Sequence, residues 1–347
     1  MNNKKCLVTG GSGFVGTHLS KRLLSMGHDV RIMDISEPEK SISDQVEFLK
    51  TDIRDKDQVK KGCKEIDYVF HAVALVPISK ADKLFNEVNA GGTKNILEAA
   101  KESNVESVVH LSSTSVYKIP KRGDLMTEDY PLEPVAAYGR AKYEAEKICF
   151  EYMDKGLPIS IIRPKTILGP NRLGIYSLLF EWIMHNNTIF ILGDGTNKYS
   201  YISINDLVEA IILSTTRGIG HVFNIATDKY GTYRSDIEDL IEYAGSKSRI
   251  IPLNATLCRS VLKLLDIVKM SPFGEWHYSI IDKEYVFDIS KAKKLLGWSP
   301  KDSNQKMFRE SYDWFRDNYD SINKIGTTHT TKLNPKIFKI INKLYLF

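Results

Sequence analysis

Short apolar runs and amphipathic stretches take turns along the first half of the chain. The runs Lys5–Thr9, His28–Met33, Val46–Leu49, Tyr68–His71 and Ser107–Leu111 predict strands. Between and after them, Val15–Met26, Lys56–Cys63, Leu84–Ser103 and Ala137–Lys155 carry apolar positions at helical spacing, and Pro158–Arg163 predicts a further strand. Strand and helix in alternation make βαβ units, hence a parallel sheet with helices on both faces. Beyond Pro164 the texture changes. Glycine and proline become frequent, strands become isolated, and helices are predicted at Ser177–Asn186, Asn205–Thr215, Ser235–Ala244 and Ser290–Leu296. The pattern divides the chain into a sheet domain over 1–165 and a smaller mixed α/β lobe over 166–320, packed on the sheet's carboxyl edge. A return of the chain to the sheet after residue 200 is compatible with it.

Residues 323–347 stand apart. They hold Lys324, Lys332, Lys336, Lys339 and Lys343 and no acid, so they account for the whole net charge of +5 and leave the body neutral. A neutral body gives no reason to expect nucleic-acid binding. Ile337, Ile340, Ile341 and Leu344 share one helical face with the lysines largely off it. That pattern in 335–347 suits weak peripheral contact with an anionic membrane surface. The apolar run at the start is shorter than the ~7–15 residues of a secretory signal, and no stretch reaches the ~20 of a spanning helix. The expected location is therefore the cytoplasm. Cys6, Cys63, Cys149 and Cys258 are scattered with no ligand-like spacing, so neither a metal site nor a disulfide framework is expected.

The first strand runs into Thr9-Gly10-Gly11-Ser12-Gly13-Phe14-Val15-Gly16. Glycines 10, 13 and 16 at a strand-to-helix turn let the backbone approach a pyrophosphate, which the helix N-terminus then faces. Asp34 ends the second strand, 18 residues past Gly16. A carboxylate there accepts from both ribose hydroxyls and repels a 2′-phosphate, which predicts NAD over NADP. At the head of a later helix, Tyr138 and Lys142 form a YxxxK pair on one face. Tyrosine, with its ordinary pKa of ~10, is a poor base at neutral pH. A nearby ammonium and a positive nicotinamide ring favour the phenolate, so the pair is predicted to transfer protons.

Together these residues resemble the extended short-chain dehydrogenase/reductase superfamily, specifically its NAD-dependent epimerase/dehydratase group, over roughly residues 4–320. Asp52-Ile53, His71-Ala72-Val73-Ala74, Asn89-Ala90-Gly91-Gly92-Thr93, Ser112-Ser113-Thr114-Ser115-Val116-Tyr117, Arg163-Pro164, Gly169-Pro170, Gly193-Asp194-Gly195 and Leu295-Leu296-Gly297-Trp298-Ser299-Pro300 follow the group's motifs in order. The resemblance implies a Rossmann-type doubly wound sheet binding NAD. It implies that Gly10, Gly13, Phe14, Val15, Gly16, Asp34, Asp52, Ile53, His71, Ala72, Ala74, Asn89, Ser112, Tyr138, Lys142, Arg163 and Pro164 surround the cofactor. Ser113, three residues before the Val-Tyr pair, takes the place of the catalytic Ser/Thr beside Tyr138 and Lys142. A homodimer through Leu84–Ser103 and Ala137–Lys155 is implied as well.

Departures from the pattern narrow the chemistry. Water-eliminating members carry Asp-Glu after the catalytic Thr; here Thr114 and Ser115 stand there, and neither serves as an acid or base. A dehydratase is therefore not expected. The arginine that grips the diphosphate in nucleotide-sugar enzymes is replaced by Tyr199, preceded by Lys198, with Arg172 as a further candidate. Ser113, Thr114, Arg172, Lys198 and Tyr199 are the expected substrate residues. Two enzymatic readings stay open. One is epimerisation of a nucleotide sugar through transient oxidation. The other is net oxidation of an apolar or sterol-like alcohol, as in 3β-hydroxysteroid dehydrogenases, for which the apolar segment 257–268 could flank the cleft. A non-catalytic cofactor-binding protein is the third, opposed by the intact Ser113, Tyr138 and Lys142 set.

Overall fold

The computed structural model describes residues 3–76, 82–267, 279–280 and 282–322. The tail over 335–347, with its expected membrane face, lies outside them. Strands β1 (Lys5–Thr9), β2 (Asp29–Asp34), β3 (Glu47–Lys50), β4 (Tyr68–His71), β5 (Ser107–Leu111), β7 (Ile159–Pro164) and β11 (Val222–Ile225) form one sheet. Its order is β11-β7-β5-β4-β1-β2-β3 and every pairing is parallel. Order reverses between β1 and β4, which opens a crevice at their carboxyl ends. Such a Rossmann-type sheet is covered on both faces, so its inner strands are largely apolar. Every residue of β5 and β7 is buried.

Alternation along β1 shows how the two faces are filled. Cys6 and Val8 pack with Leu19 and Leu23 of α1 (Phe14–Ser25) and with Leu207, Val208 and Ile211 of α7 (Ile204–Arg217). Leu7 turns to the opposite face, with Val59 of α2 (Lys56–Gly62), Ile96 and Leu97 of α4 (Gly92–Glu102) and Cys149 of α5 (Ala137–Asp154). α7 follows the lobe strand β10 (Ile202–Ser203) and leads into β11, so residues past 200 supply both a covering helix and an edge strand of the main sheet.

The lobe is built from parallel strand pairs that join distant segments. β6 (Leu125–Met126) pairs with β13 (Val286–Phe287), β8 (Ile167–Leu168) with β10, and β9 (Ile189–Leu192) with β12 (Ile250–Leu253). Helices α6 (Ile175–Met184), α8 (Tyr233–Tyr243) and α9 (Ala255–Ile267) complete it with the helices Ser290–Leu296 and Asn304–Asp317. One expected helix differs. Leu84–Ser103 is broken into α3 (Asp82–Phe85), a wide π turn over Asn86–Gly91, and α4. The wide turn lets the Asn89 side chain reach back: its amide donates to Leu75 O at 3.2 Å and accepts from Leu75 N at 2.8 Å. The strand-four loop is clamped by that pair of bonds.

Candidate active site

The glycine turn after β1 is packed too tightly for side chains. Gly10 has φ 68°, and a Cβ at Gly16 would lie 2.1 Å from Gly10 O. α1 begins at Phe14 with no side-chain cap and no acid in its first turn. Its first N–H groups and the positive end of its dipole therefore lack a counter-charge from the helix itself. Asp34, half-buried at the end of β2, accepts from Ser12 N at 3.1 Å and Ser36 N at 2.9 Å. Burial raises its pKa against those bonds. Ala72, Val73 and Ala74 are half-buried beside this turn, and Ala72 N donates to Thr9 O.

Across the crevice, β5 ends in a short 3₁₀ turn over Thr114–Val116, capped by Ser113. Ser113 Oγ accepts from Ser115 N at 3.2 Å and Ser115 Oγ at 2.9 Å. Tyr138, second residue of α5, brings its phenol near enough to the same Ser113 hydroxyl for that hydroxyl to favour the phenolate. One turn further on, the buried Lys142 donates Nζ–H to Leu111 O at 2.7 Å. Burial pushes the Tyr138 phenol up to about 12, with the Ser113 hydroxyl pulling the other way. Burial also pushes the Lys142 ammonium down to about 8. The phenol thus holds its proton at neutral pH. Desolvation outweighs the lowering expected from the neighbouring lysine, whose ammonium is turned to a backbone carbonyl.

A glycine turn, the strand-end carboxylate of Asp34 and the neighbouring Ser113 and Tyr138 stand at the carboxyl edge of one parallel sheet. A family model described as the NAD dependent epimerase/dehydratase family matches residues 6–226. This chain is a member of that family. A protein of Sinorhizobium fredii named "Uncharacterized protein y4nG" is 39% identical over 97% of this chain and 85% of its own length. UDP-glucose 4-epimerase of Lactobacillus helveticus is 30% identical, covering 86% and 93%. Human sterol-4-alpha-carboxylate 3-dehydrogenase, decarboxylating, is 29% identical, covering 86% and 84%. Among solved structures, UDP-glucuronic acid 4-epimerase from Bacillus cereus in complex with UDP-glucuronic acid and NAD superposes with a TM-score of 0.74 at 26% identity, covering 91% of this chain and all of that one. The epimerase-family chain is an NAD-dependent enzyme of the extended short-chain type. Its glycine cradle, uncapped helix start and half-buried Asp34 fit a dinucleotide.

Several residues expected around the cofactor are also held by bonds of their own. Arg163 lies beneath the site, where Nε and Nη2 grip Glu146 at 2.8 and 2.6 Å while Nη1 donates to Tyr117 Oη and Glu128 O. Ser112 gives its hydroxyl to the same Glu146, so of the two serines it is Ser113 that turns to Tyr138. The His71 ring is buried with both nitrogens engaged. Thr93 Oγ1 donates to Asn89 O at 2.6 Å, so its bond with His71 Nε2 (3.0 Å) must be a donation from the ring. His71 Nδ1 then accepts from Thr9 Oγ1 at 2.8 Å. Burial and the Lys142 charge hold this histidine down to about 3, so it stays neutral. Asp52 is forked by Arg54, Nε to Oδ1 at 3.0 Å and Nη2 to Oδ2 at 2.7 Å, while Ile53 is core.

The expected substrate residues also separate. The Thr114 hydroxyl is buried and donates to Pro164 O at 3.3 Å. Lys198 is exposed, and its backbone is tied to Tyr285 and Thr232. Tyr199 is buried with its ring over Lys165. Arg172 is buried over Phe14 and Tyr176, donating Nε to Ile167 O at 2.9 Å, and burial pushes it down to about 10. The sequence reading passed over Glu146, which anchors Ser112 and Arg163. Its signal was its position four residues after Lys142, a charge on a face otherwise made of Ala141, Ala145 and Cys149.

Proposed function

We propose that this chain interconverts epimers of a nucleotide sugar by transient oxidation of a secondary hydroxyl. The observation carrying this reading is the nearness of the Tyr138 phenol to the Ser113 hydroxyl at the carboxyl edge of a sheet that also carries the glycine turn and Asp34. NAD, when bound over Gly10–Gly16 with its ribose on Asp34, supplies the hydride acceptor and donor. Ser113 orients the reacting oxygen and Tyr138 exchanges its proton, with Lys142 fixed behind them by its bond to Leu111 O. Asp34 favours NAD over NADP, because a 2′-phosphate would meet its carboxylate. Thr114 and Ser115 supply no acid or base for water elimination, so a dehydratase is not the reading. The test is incubation of the NAD-loaded protein with UDP-glucose and UDP-glucuronic acid, with products separated by chromatography. Epimers forming without NADH accumulation support it; no binding and no turnover of either sugar would sink it.

A second reading is net oxidation of an apolar alcohol. It is favoured by the exposed stripe on α9, where Leu257, Val261 and Leu264 are 65%, 47% and 65% exposed, and by the 29% identity to the human sterol-4-alpha-carboxylate 3-dehydrogenase. NADH accumulating with a hydroxysteroid would favour it.

Two features of the whole molecule complete the proposal. Pairing of two copies through α4 and α5 gives a homodimer, which sedimentation would detect and a purely monomeric profile would contradict. The location is the cytoplasm, with the basic tail over 335–347 touching anionic membrane. No helix among the described residues is long and apolar enough to cross one. Equal liposome pelleting of full-length protein and a truncation after Lys324 would remove the tail contact.

A further inference from the structure

Lys165 follows β7 directly, at the carboxyl edge of the sheet, and is 2% exposed. Its ammonium nitrogen stands 3.9 Å from the ring centre of Tyr199, 4.2 Å from that of Tyr285 and 5.9 Å from that of Phe287. Other buried cations among the described residues have oxygen partners. Arg163 has Glu146, Lys142 has Leu111 O, Arg31 has Glu47 and two carbonyls, and Arg172 has two carbonyls. Lys165 has aromatic rings, and burial is the one influence acting on its charge. Rings attract a desolvated cation, but an unpaired ammonium out of water remains costly where an apolar side chain of similar length would pack as well. Such a group marks a site that an anion completes.

The cage adjoins the reacting groups. Pro164 O accepts the hydroxyl of Thr114, the residue next to Ser113, and the Thr166 hydroxyl meets Tyr199 Oη at 3.3 Å. Lys165 and Ser113 thus follow neighbouring parallel strands at one edge of the sheet, which is where a group borne close to the reacting hydroxyl would meet the ammonium. A single ammonium nitrogen suits one carboxylate better than a diphosphate that needs several donors. We propose that Lys165 receives a carboxylate borne by the substrate close to its reacting hydroxyl. This rests on the Ser113 and Tyr138 site being the reaction site, and it makes the substrate a hydroxy acid.

The experiment compares binding of UDP-glucuronic acid and UDP-glucose to the NAD-loaded protein and to its Lys165→Met and Lys165→Arg variants. The two sugars share the diphosphate, so their affinity ratio reports the carboxylate. A second pair, a hydroxysteroid with and without a carboxylate beside its hydroxyl, is run alongside. The parent should prefer the acid of a pair by about 10- to 100-fold, the range of a charge-assisted bond. Lys165→Met should bring that ratio close to one without lowering the melting temperature, and Lys165→Arg should keep part of it. A parent ratio near one overturns the inference even if no variant folds. So does a preference that survives Lys165→Met, or a variant that loses the acid and neutral partners alike along with its melting temperature. Acid preference in the steroid pair, with neither sugar bound, overturns the nucleotide-sugar reading and keeps Lys165's assignment. Binding of none of the four overturns both.

Discussion

Gly139 of α5 sits against the backbone of Ser115, where a Cβ would lie 2.4 Å from the Ser115 carbonyl oxygen. That absence of a side chain lets the head of α5 press onto the 3₁₀ turn after β5, and the contact brings the Tyr138 phenol to the Ser113 hydroxyl. Gly139→Ala should therefore separate the two. Turnover is expected to fall at least tenfold, with roughly 1–3 kcal/mol lost in stability from overpacking. Steady-state kinetics alongside denaturant melts check it; unchanged turnover would mean that the contact does not set the geometry.

Asp34 governs cofactor choice in this account. Asp34→Ala removes the ribose acceptor and the charge opposing a 2′-phosphate. NAD binding should weaken by about tenfold while NADP binding is unchanged or improved, since a bond to a charged group is worth about 1.5–3 kcal/mol. Fluorescence titration with both dinucleotides measures the ratio. An undiminished preference for NAD would move the discrimination elsewhere.

Lys142 has a folded pKa of about 8 against an ordinary 10.5. A lowered lysine value is a cost to folding: below pH 8 the burial penalty is fully present, and it fades as pH rises through 8 toward 10.5, where the unfolded chain still holds the proton. Lys142→Met should therefore be more stable than the parent at pH 7 by roughly 1–3 kcal/mol, with the gap closing as pH rises, and should lose most activity. Urea unfolding at several pH values tests the sign. A variant less stable than the parent at neutral pH contradicts it.

Glu146 and Arg163 form an ion pair with almost no exposure, 0% and 2%. Glu146→Gln leaves the guanidinium uncompensated and frees Ser112, so it should cost about 3–5 kcal/mol. Adding Arg163→Met should restore part of that loss, because two apolar partners replace the pair at little net cost. Thermal melts of the single and double variants decide; equal losses in both would show that the charges do not act as a pair.

The sheet was legible because its strands are short, mostly apolar and punctuated by helices of regular period. β1 and β4 start and end where the pattern places them, and Tyr138 and Lys142 fall one helical turn apart on α5. What escaped was set by contacts between distant segments. β6 and β13 are two residues each and pair Leu125 with Val286, far apart in the chain, so nothing local marks them. The π turn at Asn86–Gly91 exists because Asn89 reaches Leu75, a tertiary bond. Arg163 reads as a cofactor residue from its motif, yet its direction is decided by Glu146 on another element. Lys165 was visible as a lone lysine closing the apolar run of β7, but its aromatic surroundings come from Tyr199 and Tyr285, brought together by the lobe.

The central claim is that the phenol of residue 138 moves the proton of the reacting hydroxyl. Its most direct measurement is the turnover of UDP-glucose and UDP-glucuronic acid by the NAD-loaded parent and Tyr138→Phe, with bound NAD quantified in each. The account predicts full NAD content and a turnover lower by at least about a hundredfold in the variant, the range of a lost acid–base group. A Tyr138→Phe protein that retains NAD and works as fast as the parent would contradict it.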